Sequence, residues 1–161
     1  MFSNGCRILV PVDGSDCSLR ALDFAADLAA ALNGEVVVCT VVELGRAAVL
    51  SGGEAQLVGG VLDELETEAK EILASAVARV GARAPVVSHL GEGEPVDEID
   101  RFAGEIEPAF VVIGSHGRTG LKRLVMGSVA EGVVHGARVP VMVVPQGANV
   151  PSYQVRMPGA R

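Results

Sequence analysis

Short apolar runs that alternate with amphipathic stretches constrain this chain more than any other feature. The runs fall at 7–12, 36–42, 86–90, 110–113 and 139–144, and helix-like segments stand between most of them. This is the pattern of an open parallel sheet covered by helices on both faces, an α/β fold. At 161 residues the chain has the length of one domain, and hydrophobic residues make up 49% of it with only 3% aromatic and no Trp. The core must therefore be aliphatic, which suits buried parallel strands.

The helical segments are defined by spacing and by their ends. Leu22, Ala25, Ala26, Ala29 and Leu32 recur at helical intervals within 18–33, and Asn33-Gly34 supplies a stop. Leu62, Leu65, Ala69, Ile72, Ala76 and Val80 mark a longer helix, with acids early and Arg79 and Arg83 late, as the helix dipole favours. Pro95 suits a first helical position, with Val96, Ile99 and Ala103 on one face. A last helix is expected over 128–137. Pro140, inside the final run, cannot donate to a ladder and predicts a sheet edge or a strand start.

Residues 1–145 are read as one domain and 146–161, rich in Pro, Gly and polar groups, as a tail, either mobile or dimer-contacting. The connection 44–60 holds Gly45, Gly52, Gly53, Gly59 and Gly60 and is long for a compact domain. It reads as a loop, either an ordinary flexible excursion or a lid over a ligand.

A formal net charge of -7 argues against affinity for nucleic acid or an anionic membrane. Cys6, Cys17 and Cys39 are odd in number and lack C-x-x-C spacing, so neither a disulfide framework nor a zinc site is indicated. With no apolar run near membrane-spanning length and no signal-like start, a soluble protein of the reducing cytoplasm is expected.

The chemistry concentrates at 114–128, GSHGRTGLKRLVMGS, where glycines fall as G-x2-G-x9-G-S directly after the run FVVIG. A glycine-rich turn that leaves a strand and returns to a helix start can hold phosphate on backbone N–H groups at the positive helix end. In this reading Gly114 permits the turn, Gly117 lets the backbone approach a ligand, and Gly127-Ser128 opens the helix. Arg118, Lys122 and Arg123 make a basic island there, with no acid between Gly114 and Ser128.

Ligands of open parallel sheets gather beyond the carboxyl ends of the strands, where the winding reverses. If strands one and four are neighbours, Asp13 and the glycine loop flank one crevice. Asp13 is then an acceptor for ribose hydroxyls or, through water, a partner for phosphate-bound magnesium. Its alternative is a turn or cap residue, although Ser15 or Asp16 can cap instead. Ser128 has the same two readings, helix cap and phosphate ligand. His116 can donate to phosphate or act as a base, and without a positioned carboxylate the binding role is preferred. His89, His135 and Cys39 show no metal-ligand spacing and read as structural.

A Walker loop is absent, and GEGEPV at Gly91 has Val96 where a dinucleotide fingerprint needs its third glycine. With these residues assembled, the chain resembles the nucleotide-binding branch of the universal stress protein family. The shared blocks are ILVPVDGS, GEPVDEI, VVIGSHGRTGLKRLVMGSVAEGVV and VPVMVVP, in that order. The resemblance covers nearly all of 7–145 and implies a five-stranded parallel sheet of order 3-2-1-4-5, the adenine nucleotide alpha hydrolase-like arrangement. It also implies ATP between strands one and four, which makes 1–145 a nucleotide-binding domain. Carried onto this sequence, Pro11 and Asp13 lie beside adenosine and Val41 borders adenine. Gly114, Ser115, His116, Gly117 and Arg118 line the phosphates with Gly127, Ser128 and Val129. Family members commonly dimerise through the last strand, here Val139 to Val144. The reading that follows is an ATP-binding switch in stress response or signalling. Its alternatives are a slow ATPase or self-phosphorylating protein, with Asp13 and His116 the visible candidates, and an interaction module that takes AMP or cyclic AMP.

Overall fold

A computed structural model of the chain describes residues 6–117 and 126–147. Five strands, β1 (Arg7–Pro11), β2 (Glu35–Glu43), β3 (Val86–Gly93), β4 (Phe110–Gly114) and β5 (Val141–Val144), form one sheet of order β3-β2-β1-β4-β5. All neighbours are parallel. The helices are α1 (Asp16–Leu32), α2 (Leu44–Leu50), α3 (Ala55–Val80), α4 (Pro95–Ile106) and α5 (Ser128–Gly136), with a short 3-10 turn at Gly81–Arg83. The order 3-2-1-4-5 that the resemblance implied is the one observed.

Strand alternation divides the core between the two faces. Ile8 and Val10 of β1 join Val36, Val38 and Val112 under α1 and α3, packed against Ala21, Leu22, Ala25, Ala26 and Ala29. Leu9 points the other way and joins Val37, Val111 and Ile113 under α4 and α5, against Ile99, Ala130 and Val133. The helix α1 starts at an N-cap, Ser15, whose side chain accepts from Ser18 N–H, and ends at Asn33 in the left-handed region, φ 51°. Its alanine face lets the helix lie close to the sheet, and Leu32 at its far end is half exposed.

Three elements differ from the sequence expectation. The 44–60 connection is not one long loop. It folds into α2, a reversal through Gly52 and Gly53 at positive φ, and the first turns of α3, which contain Gly59 and Gly60. The anchor is Ala47, fully buried with Val42, Leu65 and Ala69. Two helical glycines cost about 1 kcal/mol each against alanine, a loss that a 26-residue packed helix can absorb. The third strand runs to Gly93 rather than Leu90, so His89 lies mid-strand. There its Nε2 is 3.3 Å from Glu98 Oε1 and its ring stacks on Phe102 at 3.7 Å. Hydrogen bonding from Arg101 is the main reason the Glu98 carboxyl titrates below its usual range, against the opposing effect of burial. The fifth strand begins at Val141, because Pro140 has no N–H to place in the ladder. The Pro140 carbonyl does accept from Val111 N–H at 2.9 Å.

All three cysteines are free and buried. Burial, with the nearby Glu98 charge, pushes the Cys39 thiol up to about 12. No described helix is long and apolar enough to cross a membrane.

Candidate functional site

The winding reverses between β1 and β4, and the carboxyl ends of these strands open into a cleft of about 550 Å³. Pro11, Asp13, Val41, Gly114, Ser115, His116, Gly117, Gly127, Ser128 and Val129 all line it. Arg118, together with Lys122 and Arg123 of the basic island, lies outside the described residues.

Asp13 is held by the start of α1. Its Oδ1 accepts from Ser15 N–H at 3.0 Å and from the Ser15 hydroxyl at 2.6 Å. Ser15 in turn caps α1, so the capping work falls to Ser15 and Asp13 fixes the turn before it. Val12, next to it, is tied to β2 at both ends. Its N–H donates to Cys39 O at 2.8 Å, and its carbonyl accepts from the Thr40 hydroxyl at 2.9 Å.

On the other side, Ser115 N–H donates to Val144 O at 2.8 Å, and Ser115 O accepts from Gly127 N–H at 2.7 Å. The second bond closes the glycine segment, bringing its two ends together across 118–125. The Ser115 hydroxyl lies 2.9 Å from His116 Nδ1. Gly114 is needed for a reason other than the expected turn. A Cβ there would come within 2.8 Å of the Cys17 backbone, so its absence lets β4 pack against α1.

Ser128 is not the cap of the last helix. Gly127 takes that position, with φ -79° and ψ 157°, and Ser128 is the first helical residue. The N-cap thus has no side chain to accept from the first-turn N–H groups of α5, which face the cleft with the positive end of the helix dipole. Among the described residues a Cβ on Gly127 would meet nothing closer than 3.4 Å, so their packing alone does not demand glycine here.

Sequence reasoning missed the wall supplied by α2 and α3. Arg46, Glu68, Leu65, Ala69 and Ile72 line the cleft, with Glu43 and Glu94 at its margins. Arg46 follows directly on the carboxyl end of β2, and that placement was the available signal. It is the only Lys or Arg among the described lining residues, against four carboxylates at Asp13, Glu43, Glu68 and Glu94.

A doubly wound sheet with a cleft at its switch point defines a class of open α/β proteins that take ligands there, and comparison narrows it. The chain belongs to the universal stress protein family, whose model matches residues 6–145. It is 34% identical over 139 residues to a universal stress protein of Methanocaldococcus jannaschii, covering 86% of this chain and 81% of that one. The universal stress protein from Archaeoglobus fulgidus solved in complex with dAMP is 30% identical with a TM-score of 0.65, covering 88% of this chain and 98% of that one. A universal stress protein solved in complex with cAMP is 27% identical with a TM-score of 0.62, covering 89% and 98%.

Proposed function

We propose that this chain binds ATP in the β1–β4 cleft and acts as a nucleotide-dependent switch in a cytoplasmic stress response or signalling pathway. The observation that carries this reading is the start of α5. The N-cap is a glycine that packing among the described residues does not require, and a side chain there would crowd the space in front of the first-turn N–H groups, which have no partner within the helix. A phosphate group fits that space and is satisfied by those donors. Adenosine then extends toward Pro11, Asp13 and Val41 at the ends of β1 and β2. Among the described residues no group of three or more His, Cys, Asp or Glu gathers to hold a metal ion. Magnesium is therefore proposed only as part of the nucleotide complex, met by Asp13 through water.

Gly127→Val tests the assignment. Micromolar affinity corresponds to about 8 kcal/mol, and the valine side chain should remove binding by titration calorimetry while the melting temperature stays near that of the wild type. Undiminished ATP affinity in the folded variant would sink it. The relatives solved with cAMP and dAMP support a second reading, in which the resident ligand is an adenine monophosphate. Native mass spectrometry of freshly purified protein separates the two by the mass of any copurified nucleotide.

A further inference from the structure

The cleft shares a wall with a second, more open recess of about 730 Å³ against the first turn of α1. Arg46, Glu68, Asp13 and Gly117 border both spaces, whereas Ser128 and the start of α5 border only the inner one. A phosphate chain that begins at α5 and runs outward past Gly117 therefore enters the space that Arg46 borders.

Arg46 is poorly committed where it stands. Its Nη1 lies 3.5 Å from Glu68 Oε2, with the two side chains 41% and 44% exposed. An ion pair so long and so wet contributes little, and a phosphate offers the guanidinium a shorter, two-pronged partner. The helix that carries Arg46 has only seven residues, one of them buried, and turns back through Gly52 and Gly53 at positive φ. A small shift of α2 therefore disturbs little packing. The charge balance gives the arginine a reason to matter. Each added phosphate brings more negative charge into a space lined by Asp13, Glu43, Glu68 and Glu94, and Arg46 is the described cation that meets it.

We propose that Arg46 reads the length of the phosphate chain, leaving Glu68 to pair with the distal phosphates so that the site prefers ATP to AMP. This rests on the nucleotide-binding reading above. It assigns the preference to α2, a segment outside the glycine loop.

Titration calorimetry with AMP, ADP and ATP on the wild type, Arg46→Ala and Arg46→Lys tests it, with melting temperatures to confirm folding. Arg46→Ala should weaken ATP about tenfold, the scale of one lost charge-assisted bond, and leave AMP within about twofold. Lysine, which keeps the charge without the planar fork, should fall between. Should ATP affinity be untouched by Arg46→Ala, or AMP affinity fall as far as that of ATP, the inference is overturned while nucleotide binding stands. A wild-type chain that binds none of the three overturns both.

Discussion

Asp13 and Gly117 approach so closely that a Cβ on Gly117 would lie 2.6 Å from Asp13 Oδ2. The contact joins the end of β1 to the loop after β4, two segments more than a hundred positions apart in the chain, and narrows the cleft between them. Asp13 has little room to yield, since Ser15 holds its other oxygen with two hydrogen bonds.

Gly117→Ala should therefore push the loop outward and spoil the cleft more than the fold. The expected result is a loss of ATP affinity of about tenfold or more, with a stability cost of about 1 kcal/mol, because Gly117 itself is exposed and lies outside the buried core. Calorimetry and thermal melting measure the two effects separately. A variant with normal affinity would show that the Asp13–Gly117 approach is not part of the ligand site.

A second expectation concerns the outer face, where α1 and α3 are laced together. Asp23 accepts from Arg79 at 2.6 Å and from Arg83 at 3.0 Å, and Arg83 also reaches Asp27 at 3.3 Å. Partial burial alone would raise the Asp23 carboxyl, but the hydrogen bonds and charges of the two arginines outweigh it and hold it below its usual value. A depressed folded-state value means that the stabilisation is complete above the unfolded aspartate pKa of about 3.9 and is lost as pH falls through the lower folded value. Solvent screening keeps the contribution near about 1 kcal/mol. Asp23→Asn should melt a few degrees below wild type at pH 7, and the gap should begin to close only as pH falls below about 3.9. A gap that stays constant into that acid range would remove the ion network from the account.

Much of the architecture was legible because local signals agreed with the tertiary result. The alanine face of α1, its stop at Asn33-Gly34 and the apolar runs of the central strands each point to one structure, and packing had only to accept them. What was not legible depended on distant partners. The helix α2 has seven residues, a glycine at its second position and one buried side chain, Ala47, so its pattern is too short to rise above a loop. Without α2 in view, Arg46 and Glu68 had no place in the cleft. Of the two readings of Ser128, helix cap and phosphate ligand, the cap is not the one observed: α5 starts at Ser128 as expected, and Gly127, whose N–H is held by Ser115 O, takes the cap position although serine is the commoner cap.

The last prediction concerns the sheet edge, where we propose that β5 pairs with β5 of a second copy. Val111 N–H donates to Pro140 O and Ser115 N–H to Val144 O, so the even-numbered residues of this strand bond to β4. By alternation, Val141 and Val143 turn their own N–H and C=O groups outward, away from β4. The strand is only four residues long, and Val141, Met142 and Val143 are each part exposed in the single chain. A continuous sheet across two copies would satisfy these groups and cover those side chains. Val143→Pro deletes an outward donor without removing any bond to β4, a substitution that edge strands tolerate where the N–H faces solvent. Sedimentation equilibrium should show a dimer for wild type and a folded monomer for the variant. Dimers that persist in Val143→Pro, or a wild type that sediments as a monomer at all concentrations, would place the edge outside any interface.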